Sequence, residues 1–201
     1  MTEQTYSPHT IFFGEDVERL KKSLEPGHVI HTMICEHEKI LGLLEEIAQA
    51  SREISRLERF PSDREVLEQL RSATSHLIGA EPHHKREEDV LFPELERRGV
   101  YGPPMMMREE HKELRSMKAH LGDLAGSVSE KNFQEFKGQV EPVSRRLVTF
   151  LQDHIDKENH VLYPMAVQVI SAREDWARMR LECDRIGYCC FTPKTGARPS
   201  P

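Results

Sequence analysis

The chain of 201 residues has four cysteines, one tryptophan and few aromatics of any kind, and no long apolar run. Each scarcity removes a class of protein. Cys35, Cys183, Cys189 and Cys190 are too few, and too crowded near one end, to frame a secreted mini-protein, and no C-x-x-C pair occurs; they read as free buried or tail thiols. No apolar stretch approaches the length of a membrane span, and the start Met-Thr-Glu-Gln-Thr lacks a basic segment followed by an apolar one, so a cytoplasmic location and no membrane partner are expected. With 28 basic against 34 acidic residues the formal charge is -6, and no block of Lys or Arg interrupts the mixture, which argues against nucleic acid. No credible period-2 strand is present either.

What is present is helical periodicity. Residues 1–26 form an N-terminal arm, weakly amphipathic around Val17, Leu20 and Leu24 and closed by Pro26-Gly27. Ile30, Met33, Leu41, Leu44 and Ile47 recur at three and four, and His37 lies on their stripe. A second helix runs from the break at Pro61-Ser-Asp63 to Gly99, kinked at Pro82. A third follows Pro103-Pro104 through Met107, His111, Leu114 and Leu121, with Met105 to Met107 read as core and loop packing. A fourth carries Val140, Leu147, His154 and Met165. Ser171 and Glu174 form a capping-box signature for a short fifth helix. The expected architecture is an all-α, antiparallel up-down-up-down four-helix bundle over residues 27–170, a C-terminal helix over 171–190 and a flexible tail over 191–201.

Eleven histidines in such a chain raise the question of metal. His83-His-Lys-Arg-Glu87-Glu-Asp-Val-Leu-Phe-Pro93 aligns without a gap on His154-Ile-Asp-Lys-Glu158-Asn-His-Val-Leu-Tyr-Pro164. Both read H-x-x-x-E-x-x-V-L-aromatic-P. Glu36-His37 on the first helix is echoed by Glu110-His111 on the third, at nearly equal distances from the longer motifs. The chain is thus two related helix pairs, each giving one lone His and one H-x-x-x-E. Four residues is one helical turn, so His and Glu share a face and can point at one cation. Four imidazoles and two carboxylates are too hard a set for a thiolate-type metal and too rich in nitrogen for calcium or magnesium. They exceed one tetrahedral zinc, so two cations fit better, iron first, with manganese or a mixed pair open. The candidate ligands are His37, His83, Glu87, His111, His154 and Glu158.

His84 and Glu88 also spell H-x-x-x-E, and the stripe Leu70, Leu77, Leu91, Leu95 falls on their face. The gapless repeat favours His83 and Glu87, and a reset of helical phase at Pro82 reconciles the two readings. By helical count His120 faces away from His111, and His76, His160, His9 and His28 are expected at surfaces or ends. A ferritin-like centre would need Glu-x-x-His on two helices, and only Glu81-Pro-His-His84 supplies one.

These motifs, over roughly residues 28–170, resemble the hemerythrin-like family with histidine-histidine-glutamate cation-binding motifs, and the Gly27-His-Val-Ile-His31-Thr start, the Gly102-Pro-Pro-Met-Met loop and the Ile186-Gly-Tyr ending resemble its bacterial branch. The resemblance implies a carboxylate-bridged pair of non-haem irons that binds dioxygen or nitric oxide or senses redox state. It also admits an enzyme that reduces nitric oxide or decomposes peroxide, and a scaffold whose metal only stabilises the bundle. Oxygen carriers of the family use a fifth histidine one turn after the lone His of the third helix, and here Arg115 stands there. His31 and Glu81 are the substitutes the sequence offers. A diatomic ligand or peroxide, and an unidentified redox partner, are the implied partners.

Overall fold

Gly27, at φ +90°, turns the chain into the first long helix. His28 caps that helix, its Nδ1 accepting from the Ile30 backbone N–H at 3.2 Å. The computed structural model describes residues 15–193, which are helical or in short connections, with no strand among them. Residues 1–14 of the expected arm, with His9, and residues 194–201 of the expected tail lie outside the described residues. No helix among the described residues is long and apolar enough to cross a membrane.

In chain order the helices are α1 (Glu15–Ser23), α2 (Val29–Arg56), α3 (Glu65–Ile78), α4 (Glu81–Arg86), α5 (Phe92–Arg97), α6 (Gly102–Ser127), α7 (Phe133–Lys157), α8 (Tyr163–Val169) and α9 (Arg173–Ile186). Cross-links fix the neighbours as antiparallel. Lys137 at the start of α7 donates to Leu57 O at the end of α2, whereas His37, early in α2, meets Asn159 beyond the end of α7. Arg71 of α3 reaches Ala125 O late in α6, and Arg115 of α6 reaches Glu81 at the start of α4. Arg146 to Glu113 and His154 to Glu110 tie α7 to α6 in the same sense. The bundle expected from periodicity is the bundle observed.

The second helix is interrupted where the sequence suggested only a kink. Pro82 has no N–H and its ring crowds the carbonyl of the residue four before it, which is Ile78. There α3 ends, and Gly79 and Ala80 form a turn before α4 starts. The same chemistry acts twice more. Pro93 and Pro164 follow one residue behind two π-helical turns, Glu87–Leu91 and Glu158–Leu162. Across each turn the backbone N–H of the aromatic residue bonds five residues back, Phe92 to Glu87 and Tyr163 to Glu158. The extra residue advances the downstream side chains by ~100° relative to an unbroken α-helix.

The fifth helix begins without the expected box: Ala172 is its N-cap and offers no side-chain acceptor, so Ser171 and Glu174 do not cap it. The capping box that does form is Ser129 with Asn132, ahead of α7. Met179 of α9 is fully buried, and Trp176 donates to Ile170 O and lies 4.4 Å from the His28 ring. After Gly187 the chain lies back over the bundle: Tyr188 covers the Arg86 guanidinium, Cys189 is buried, and Thr192, expected in the tail, donates to Glu36. Of the three consecutive methionines, Met107 is core, whereas Met105 and Met106 are exposed.

The apolar core has two parts. Ile40, Leu44, Leu114, Leu147 and Leu151 belong to one, and Met33, Ile34, Phe92, Met107 and Leu162 to the other. His37 lies between Ile34 and Ile40, and His111 between Met107 and Leu114, in each case one member of each part. The buried histidines, with Glu36, Glu87 and Glu158, form a layer across the middle of the bundle.

Candidate metal centre

Two groups of donors occupy that layer. Ligand-type atoms of His37, His83, Glu87 and Glu158 lie within 4.8 Å of one another, as do those of His84, His111 and His154, and either group could hold a metal ion. All seven residues are at most 4% exposed. Glu87 and Glu158 join the groups. Glu87 Oε2 is 3.5 Å from both His83 Nε2 and His111 Nε2. Glu158 directs Oε2 toward His37 Nε2 (3.2 Å) and Oε1 toward His154 Nε2 (3.0 Å).

Four of the five imidazoles are held from behind. His83 Nδ1 donates to Glu36, His154 Nδ1 to Glu110, and His111 Nδ1 to Glu88 (2.7, 2.7 and 2.8 Å), while His37 Nδ1 meets Asn159 Oδ1 at 2.8 Å. A carboxylate takes the Nδ1 proton, so the Nε2 atom of a neutral ring presents a lone pair. His111 and His154 nevertheless bring their Nε2 atoms within 3.0 Å, and His37 and His83 do the same. Paired Nε2 atoms at that distance share either a proton or a cation, and both pairs stand beside the buried carboxylates of Glu87 and Glu158. Glu87 Oε2, Glu158 Oε1 and His84 Nδ1 are buried without an aligned hydrogen bond, and such groups cost free energy unless something satisfies them. The donor set and its unsatisfied atoms therefore fit metal.

The acid–base pattern agrees. Burial, reinforced by the Glu158 charge, pushes Glu87 well above the carboxylate range. Burial opposes ionisation of Glu158 too, but His154 and bonds from His111 and His37 override it and hold it well below. Burial lowers His154, yet Glu158 and Glu110 raise it to about 10, so a proton supplies the missing positive charge. His83 is pushed down to about 4 by burial, against Glu36. Burial, with the Lys118 and His111 charges, drives His84 far below the usual imidazole range.

The two matched motifs differ at six positions, three of which bear on the layer. His84 is replaced by Ile155, Glu88 by Asn159, and Phe92 by Tyr163. The His111 and His154 side thus gains a third imidazole, stacked on His111 with centroids 4.0 Å apart. The His37 and His83 side gains a phenol: Tyr163 donates to Glu87 Oε1 at 2.6 Å and stands 3.3 Å from His37 Nε2.

Of the residues singled out from sequence, the structure brings together His37, His83, His84, Glu87, His111, His154 and Glu158. Of the pairs His83/Glu87 and His84/Glu88, both histidines and Glu87 face inward. Glu88 is part-buried outside the layer, bonded to His111 Nδ1 and Arg115. Glu81 pairs with Arg115 and lies 3.9 Å from His84 Nδ1, outside both groups. His31 is in neither donor group; its Nδ1 lies 3.7 Å from the buried Cys35 Sγ, one turn along α2. His76 and His120 are exposed, as the helical count requires, and all four cysteines are free. Arg115, in place of a fifth histidine, grips Glu81 and Glu88. Tyr163 was missed because in an unbroken helix it would point away from His154; the hydroxyl separating it from Phe92 in the repeat was the available signal.

Comparison with known families matches residues 28–166 to the hemerythrin HHE cation binding domain. The chain belongs to that family. Comparison with curated proteins gives no match. In this hemerythrin-type domain the His/Glu groups are the metal-binding candidates, and the protein is metal-binding by family and by donor chemistry.

Proposed function

We propose that this protein is a non-haem di-iron protein that binds or senses dioxygen, nitric oxide or redox state. His37 and His83 would serve one ion, His84, His111 and His154 the other, with Glu87 and Glu158 shared. Iron there would supply reversible one-electron chemistry and an open position for a diatomic ligand. The observation that carries the reading is the pair of shared carboxylates between two sets of Nε2 atoms.

The chain's own groups have separable tasks. Glu36 and Glu110 hold His83 and His154 by their Nδ1 protons, and Arg86 and Lys157 in turn hold the two carboxylates. Phe92, Leu91 and Leu162 close one side of the layer with fully buried apolar surface and keep water out. Tyr163 keeps its proton, its phenol raised far above the ordinary value by burial and by Glu87, and presents it at Glu87 Oε1. A buried proton donor beside the donor set favours the second reading, an enzyme that reduces nitric oxide or decomposes peroxide.

The test is an optical spectrum of the iron-loaded protein, recorded anaerobically and then with oxygen, nitric oxide or peroxide, followed by turnover with a reductant. Ligand-dependent absorption without turnover supports the binding or sensing role; sustained turnover supports the enzyme; a spectrum indifferent to all three contradicts both.

A further inference from the structure

Outside the metal layer, α3 and α6 leave a groove of about 670 Å³, within the ~300–1,000 Å³ of small-molecule sites. Ile78, Ala119, Gly122, Ala125 and Gly126 give it an apolar wall. The helices come close at Gly122, where a Cβ would stand 2.9 Å from Ile78 Cδ1.

Two polar side chains on this groove have no partner. Thr74 Oγ1 is buried without a hydrogen bond. Lys118 is 3% exposed, lines the groove, and makes no hydrogen bond or ion pair with any described residue. The other cations of the lining are engaged: Arg71 by Glu68 and Ala125 O, Arg115 by Glu81 and Glu88. Asp123 stands exposed on the rim. Burial, only partly offset by Glu81, lowers the Lys118 ammonium to about 8, which still leaves it charged at neutral pH.

We propose that the groove between α3 and α6 binds a small amphipathic monocarboxylate, its carboxylate on Lys118 and its hydrocarbon body along Ile78, Gly122 and the Thr74 methyl. One free cation matches a single negative charge, and a phosphate dianion would be left underneutralised. The apolar wall demands a body that a free inorganic anion lacks. No residue of the groove belongs to the two donor groups, although the Lys118 charge reaches His84.

The experiment is calorimetric titration of the full chain, as isolated, with octanoate, with octanol and with inorganic phosphate. Octanoate should bind at one site per chain, with octanol and phosphate weaker by about tenfold or more. Lys118→Met, similar in length and apolar, should lose octanoate affinity by a comparable factor while keeping its helical circular dichroism. Gly126→Leu, whose Cβ meets nothing within 4 Å, should block the hydrocarbon end without disturbing the fold. No binding of octanoate, equal binding of octanol, or undiminished binding by both variants overturns the proposal.

Discussion

Replacing Lys118 by methionine should make the protein more stable at neutral pH, and the gain should vanish in alkali. The side chain is 3% exposed and without a direct counter-charge, and its ammonium is lowered from 10.5 to about 8, chiefly by burial. In the unfolded chain the amine returns to its ordinary value. Below about pH 8 both states are protonated, and the folded state carries the full penalty of about 3 kcal/mol. Between pH 8 and 10.5 the unfolded chain binds more protons than the folded one, so stability rises with pH; above that window the penalty is gone. Methionine removes the charge and keeps most of the volume, so Lys118→Met should raise the unfolding free energy by on the order of 1–3 kcal/mol at pH 7. Urea denaturation of both proteins at pH 7 and at pH 10.5 measures the difference. A destabilised variant at neutral pH, or a difference independent of pH, would refute the argument.

His154→Ala or Glu158→Ala should lower metal content and thermal stability together, because each removes a proposed ligand from the shared layer; full loading in both variants would contradict the assignment. His84→Ala should weaken one ion of the pair by about tenfold or more and spare the other, and metal titration that shows two unaltered sites would remove His84 from the set. Tyr163→Phe should keep the fold, since Phe92 fills the matching position, while the metal-free protein loses about 1–3 kcal/mol with the bond to Glu87, readable by thermal denaturation. Arg86→Met leaves Glu36 buried and deprived of the guanidinium nitrogen that meets both its oxygens, so unfolding in urea should occur with about 3 kcal/mol less stability.

The gapless repeat made most of the donor layer visible in advance, because a His and a Glu four apart share a helix face whatever the surrounding fold. His37, His111 and His154 followed from their apolar stripes in the same way. The uncertainty at His83 and His84 had a physical source: the stripe Leu70 and Leu77 was counted through Gly79 and Ala80, where the helix is broken and its phase reset. Tyr163 lay beyond reach for a related reason, since the π turn at Glu158–Leu162 rotates it inward. Both irregularities trace to prolines that were visible, but whether a proline kinks, breaks or widens a helix depends on the packing around it. Arg115 could be seen as a missing histidine, yet its ion pairs with Glu81 and Glu88 join residues far apart in sequence. Lys118 gave no signal, because one lysine on a helix reads as a solvated residue until its burial is known.

The central claim is a paired metal centre, and the most direct test is elemental analysis of the purified chain together with its anaerobic and oxygen-exposed optical spectra. The account predicts about two metal ions per chain, iron foremost, with absorption that responds to oxygen or nitric oxide. A single zinc ion, or a well-folded protein with no metal that takes up none when iron is supplied, would contradict it.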